Sequence, residues 1–304
     1  MIRSFILSVL FFVVGMTCPG LASAKVTVLT SLDVVQALGM ALTQDTSIEV
    51  VNVVPKGYFM MGQDAYFKKH QKTFFAQAVR ADAVLTIGAA WPADSLYKWA
   101  RRGNIHVVNI DVSQPLDGYG AGVPLIAVGE GFSPYVWRSP ANLTRMAAIA
   151  ADDLSRLVPA EAPTILANLK ALQTRLFTLR NTYEQAFLEL DVVDVAALTN
   201  GFTYLTDEFG LNIVFSVIEP EEHWTETRQT TIAGQLKEDM LSTVVCAWEP
   251  GEIAKSVLAR GGAHPVVLKR YVFSSTEAPD VSLVKWYEGN LSRLLKVLKT
   301  ESGG

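Results

Sequence analysis

Residues 164–190 read TILANLKALQTRLFTLRNTYEQAFLEL, an amphipathic stretch of 27 residues. As one helix it runs roughly 40 Å, long enough to touch two domains. Short apolar runs rich in Val and Ile recur on either side of it. Before it they lie at 25–31 (KVTVLTS), 48–54 (IEVVNVV), 83–88 (AVLTIG) and 106–111 (HVVNID). After it they lie at 192–198 (VVDVAAL), 212–218 (NIVFSVI), 242–248 (STVVCAW) and 265–271 (PVVLKRY). Continuous apolar runs suit strands buried on both faces of a parallel sheet, and helical stretches between them make βαβ units. SLDVVQALGMAL, with Ser31 as a cap candidate, DAYFKKHQKTFFAQAVR and ADSLYKWARR are such stretches, with apolar residues three and four apart. The expected fold is therefore α/β, with two lobes that are each a roughly four-stranded parallel sheet flanked by helices. The first lobe spans 25–162, one long linking helix spans 163–190, and the second lobe spans 191–304. An interlobe cleft should form where open parallel sheets present their carboxyl ends.

The start of the chain reads differently. MIRSFILSVLFFVVGMTCPGLASA has one arginine, an apolar run and an Ala-Ser-Ala ending. That is a cleavable secretory signal over 1–24, with cleavage after Ala24, and the apolar run is shorter than the ~20 residues of a membrane span. A soluble exported protein is expected. Loss of Arg3 takes the net charge from −4 to about −5, and no basic stripe calls for nucleic acid. Cys246 is the one cysteine left after cleavage, so no intramolecular disulfide is expected, and in STVVCAW it reads as a small buried hydrophobe. The chain carries no Gly-x-Ser-x-Gly, no phosphate-cradling glycine loop and no close Cys/His pair, so it is not expected to be an enzyme.

Five ordered pieces carry a family resemblance. VPKGYFMMGQDAYF (54–67) resembles a Gly-x-Asp-Pro-His loop, and RADAVLTIGAAW (80–91) an Ala-Asp-Leu-Val-x-x-x-Gly strand. SPYVWRSPANLTRMA (133–147) resembles Asp-Pro-His-x-Trp-Leu-x-Pro and the linking region that follows. LTNGFTYLTDEFGL (198–211) resembles His or Glu before a small-aromatic-x-Tyr helix, and AWEPGEIAKSVLARGGAHPVVLK (247–269) a Glu-Pro helix before a Gly-Ala-x-Val-x-x-Leu-Asp strand. Together they are similar to the periplasmic solute-binding proteins of zinc and manganese ABC importers, over about residues 26–300. The resemblance implies an inner-membrane ABC permease as partner, a monomer, and one divalent ion held between the lobes by histidines and carboxylates. Carried over position by position, those ligands fall on Tyr66, Tyr135, Thr199 and Lys269. All four differ from the family's residues, and the family's His-rich loop is missing.

The substitutions change the chemistry. Zinc takes imidazole, thiolate or carboxylate at about 2.0–2.3 Å, and Thr or neutral Tyr is a poor replacement. A lysine charge about 4 Å from a divalent ion opposes it by about 8 kcal/mol at an effective dielectric of 20. Bare zinc or manganese is therefore not the expected cargo. Tyr66 and Tyr135 as phenolates would suit iron(III). Lys269 and Arg138, with Thr199 and Asn200 as hydrogen-bonding groups and Tyr66, Tyr135 and Trp137 as flat walls, would suit a small anionic or aromatic solute or a metal chelate. Trp137 also reads as core packing. A relocated metal site on Tyr66 and His70, four apart on one helix face, or in the EPEEH loop ending at His223, is a third reading. No cofactor follows from the residues beyond such a bound ion or chelate. The alternative of another class is a non-transporting periplasmic accessory that binds a protein or cofactor-assembly partner and keeps a vestigial cleft.

Overall fold

The structure, a computed structural model, describes residues 25–118 and 120–302. The signal expected over 1–24 lies outside the described residues. The first sheet is built from β1 (Val26–Thr30), β2 (Ile48–Asn52), β3 (Ala83–Thr86) and β4 (Val108–Asp111), in the order β2-β1-β3-β4 and parallel throughout. Four helices connect them: α1 (Asp33–Leu42), α2 (Gln63–Lys69), α3 (Gln71–Ala78) and α4 (Leu96–Gly103). A two-residue antiparallel pair, β5 (Ala127–Val128) and β6 (Gly131–Phe132), precedes α5 (Pro140–Leu157) and α6 (Ala162–Leu188). The second sheet has β7 (Asp194–Ala197), β8 (Asn212–Ser216), β9 (Thr243–Cys246) and β10 (His264–Val267), in the order β10-β9-β7-β8, again parallel. Its connecting helices are α7 (Thr203–Glu208), α8 (Glu226–Glu238) and α9 (Glu252–Gly261), and α10 (Pro279–Ser302) closes the chain.

The apolar runs become strands because both faces are covered. Every residue of β3 and of β9 is buried, as an inner strand of a parallel sheet requires. Three details depart from the sequence reading. The backbone leaves helical geometry at His70 (φ −107°, ψ 26°), which splits the expected single helix into α2 and α3. Leu32, not Ser31, is the N-cap of α1 and makes no side-chain cap bond. The last expected strand, 265–271, pairs only over His264–Val267, which matters for the site.

The long helix α6 packs on α5, α1 and α10. Leu283, Tyr287, Leu291, Leu294 and Leu298 of α10 are fully buried, and α10 packs on α1 as well as α6, so the chain's last helix returns to the first lobe. Burying one such leucine contributes about 1.5–3 kcal/mol before entropy is charged against it. The main core is continuous from Val28 of β1 to Val245 of β9 and Val266 of β10, and each lobe adds a smaller cluster of its own.

Candidate functional site

The site is built around the turn at residues 133–140. Tyr135 precedes one 3₁₀ turn, Val136–Arg138, and Ser139 then caps α5 by accepting from the Asn142 N–H at 3.0 Å, with Pro140 in the first helical turn. This suits proline, whose missing N–H costs nothing there. The second lobe holds the turn from two sides. The Tyr204 hydroxyl of α7 donates to the Ser133 carbonyl at 3.0 Å, and the Tyr287 hydroxyl of α10 donates to the Trp137 carbonyl. Glu208, at the end of α7, accepts from the Ser139 hydroxyl and the Ala141 N–H and pairs with Arg180 of α6.

These anchors place Arg138 inside the protein, 7% exposed. Its guanidinium carbon lies 4.3 Å from the Tyr135 ring centre and 4.0 Å from that of Phe202. Nε and Nη1 are buried and make no hydrogen bond. Burial draws the guanidinium pKa down to about 10, against the opposing effect of Tyr135. Gly201 leaves the room: a Cβ there would sit 2.3 Å from Arg138 Nη1. The Gly201 N–H in turn donates to the Thr199 hydroxyl at 3.0 Å.

Around this cation lies an interlobe cleft of about 370 Å³. The first lobe contributes Tyr58, Phe59, Met60 and Met61 from the loop after β2. Asp33 shapes that loop, accepting from Gly57 N–H at 2.8 Å and from the Asn52 amide at 3.1 Å, while Gly57 takes a φ of 72°. That positive φ is why glycine stands there. The second lobe contributes Thr199, Asn200, Phe202, Ile218, Trp248, Arg270 and Tyr271. Arg270 reaches across, its guanidinium 4.6 Å from the ring centre of Phe59. A second hollow, about 630 Å³, lies between Lys25, Glu49 and Pro279, but those two charged side chains pair with each other at 2.8 Å.

Of the positions read from the sequence, Tyr135, Trp137, Arg138, Thr199 and Asn200 line the cleft. Tyr66 and Lys269 are not among the residues that line it. Tyr66 sits on α2, past the loop that enters the cleft, with its ring between Tyr58 (5.1 Å) and His70 (4.4 Å). Lys269 follows the end of β10, where its N–H and C=O are both held by the Asn290 amide side chain at 2.8 and 2.9 Å. Its side chain is exposed, and the next two residues, Arg270 and Tyr271, face the cleft instead. The sequence reading missed Tyr58 to Met61, Gly201 and Arg270. The signal for the first group is the run YFMM between Gly57 and Gly62, too apolar for an ordinary exposed loop.

The charged residues of the cleft lining are Asp33, Arg138 and Arg270. Among the described residues no three His, Cys, Asp or Glu side chains gather as a metal site. The Glu221 carboxylate in the EPEEH loop accepts from the Ala254 N–H at 2.8 Å and so caps α9. Cys246 is buried, its thiol pKa pushed up to about 12 by desolvation.

The profile of the family described as zinc-uptake complex component A, periplasmic, matches residues 22–297. The chain belongs to that family. No curated protein matches it in sequence. Solved structures share its fold. A mutant of FpvC from Pseudomonas aeruginosa superposes with a TM-score of 0.74 at 18% identity, covering 90% of this chain and all of its own. The metal-dependent lipoprotein YcdH from Bacillus subtilis gives 0.70 at 18% identity, over 90% of this chain and 98% of its own. A periplasmic metal binding protein from Candidatus Liberibacter asiaticus gives 0.69 at 17%, over 90% and 100%. As a member of this periplasmic family the chain is a solute-binding protein of the ABC-importer type. Among the described residues no helix is long and apolar enough to cross a membrane.

Proposed function

We propose that this protein captures an anionic organic solute, or a metal ion already wrapped in an anionic chelate, and presents it to an inner-membrane ABC permease. The cargo is not a bare zinc or manganese ion. The observation that carries this reading is Arg138, a buried cation with unpaired N–H groups at the cleft wall. A divalent ion near it would meet repulsion of several kcal/mol, about 8 at 4 Å and a dielectric of 20, with no gathered set of ligands to offset it. An anion would meet attraction of the same order. The cleft's aromatic and methionine walls suit an apolar solute body, and its volume is at the small end of the range for organic ligands.

Three tyrosines, Tyr58, Tyr135 and Tyr271, line the cleft, so iron(III) on phenolates is the second reading. The test separates them. Mature protein is purified without chelators, its metal content and visible spectrum are recorded, and its melting temperature is followed on adding Zn²⁺, Mn²⁺ and Fe³⁺. A colourless protein unmoved by all three ions is expected. Stoichiometric zinc or manganese overturns the reading, and a tyrosinate charge-transfer band with one iron per chain selects the second.

A further inference from the structure

Resting on that reading, we infer that the cleft recognises its solute through one oxyanion on the edge of the Arg138 guanidinium, with a flat apolar body attached: an aromatic or otherwise planar carboxylic acid, free or as a metal chelate.

Four observations lead there. Position 138 is the leucine of the Asp-Pro-His-x-Trp-Leu-x-Pro pattern that the 133–147 stretch resembles, so an apolar position of the motif holds a cation here. Second, the cation is tightly enclosed. The Tyr135 and Phe202 ring centres lie within 4.3 Å of it. Nε and Nη1 are sealed from solvent, so a solute oxygen meets the guanidinium from the cleft side, at Nη2, through a charge-assisted bond. Third, the enclosure does not satisfy it. A buried guanidinium with Nε and Nη1 unpaired is destabilising in the empty protein, and an anion in the cleft offsets its charge. Fourth, the rest of the cleft is largely apolar, and its carboxylate, Asp33, is taken up by the Gly57 N–H and the Asn52 amide. Tyr58, Phe59 and Met60 of the first lobe oppose Ile218 and Trp248 of the second. Arg270 is covered by Phe59 at the mouth and is exposed, so it serves as rim rather than floor.

Gly201 belongs to the same device. Only a residue without a Cβ leaves space for Nη1, and its N–H fixes the Thr199 hydroxyl beside the site.

The test compares acids with their neutral isosteres on the mature full-length protein. Benzoate and 2-naphthoate are titrated by calorimetry beside benzamide and 2-naphthamide. The acids should bind at least 10-fold more tightly than the amides. Arg138→Leu should weaken acid binding about 30-fold, the range for a charge-assisted bond, leave amide binding as it was, and raise the melting temperature of the ligand-free protein. A merely structural arginine would lower it. Arg138→Lys, which keeps the charge without the fork, should retain a preference for acid over amide at reduced affinity, and it decides the matter if the leucine variant does not fold. Acids and amides binding alike, no acid binding at concentrations up to about 10 mM, or acid binding undiminished in Arg138→Leu each overturns the inference. Acids preferred over amides but bound undiminished by Arg138→Leu leaves the anionic-solute reading standing and removes only the role of Arg138, whereas stoichiometric bare zinc or manganese removes both.

Discussion

One glycine sets how closely the second lobe's chain approaches the Arg138 guanidinium. A Cβ at position 201 would lie 2.3 Å from Nη1 and 3.1 Å from the Thr199 hydroxyl. The guanidinium is the mobile end of a flexible side chain, but it is buried and held between rings, so it has little room to retreat. Gly201→Ala should therefore cost about 1–2 kcal/mol by overpacking. In an Arg138→Leu background the cost should fall to a few tenths, because the colliding group is gone. Urea unfolding of the two single variants and the double variant measures that coupling. Additive losses would show that the glycine is needed for some other reason. At this scale the sequence was legible in part: Arg138 stands at a leucine position of its motif and Thr199 at a metal-ligand position. That position 201 must be glycine follows only once Arg138 is seen to lie against it.

At the scale of elements, the start of α5 is where the lobes are tied. Its N-terminal N–H groups carry partial positive charge, and they meet the Glu208 carboxylate from α7, which also holds Ser139 and Arg180. Glu208 is only 8% exposed, so solvent cannot replace it. Glu208→Gln should destabilise the protein by about 2–4 kcal/mol, since it leaves Arg180 without its buried partner and removes the anion from the helix end. The shift in urea midpoint measures it, and a change under about 0.5 kcal/mol, the level of surface substitutions, would show that the tie is not structural. The spacing of apolar residues marks α5 and α6 as amphipathic, but nothing in the sequence pairs Glu208 with a helix that begins 68 residues earlier. Residues 265–271 illustrate the opposite failure. Their apolar pattern reads as one strand, yet pairing stops at Val267, because Asn290 of α10 takes over the backbone groups of Lys269. That hand-over moves the cleft-facing position from Lys269 to Arg270 and Tyr271.

For the molecule as a whole, one hydrophobic core joins the two sheets. The main core runs through both, and α10 packs on α1 of the first lobe and on α6. Unfolding should be a single cooperative transition, with tryptophan fluorescence and far-ultraviolet circular dichroism giving the same midpoint. Two separated transitions would mean that the shared core contributes little. The same packing limits how far the lobes can part, so solute capture should involve loop and side-chain adjustment at the rim, where Phe59 and Trp248 are 71% and 59% exposed, more than a wide hinge motion.

The sequence by itself determined the local grammar. Strand and helix periodicities are set by residues two to four apart, so the eight parallel strands, the long connecting helix and the family resemblance could all be read directly. Which side chains meet in the cleft was decided by tertiary structure. Tyr58 and Tyr66 are eight positions apart, and a loop carries one into the cleft while a helix carries the other away. Arg138 and Gly201 are far apart in sequence and in contact in space. A site between two lobes depends on chain register at strand ends and on how helices dock, and long-range packing fixes both.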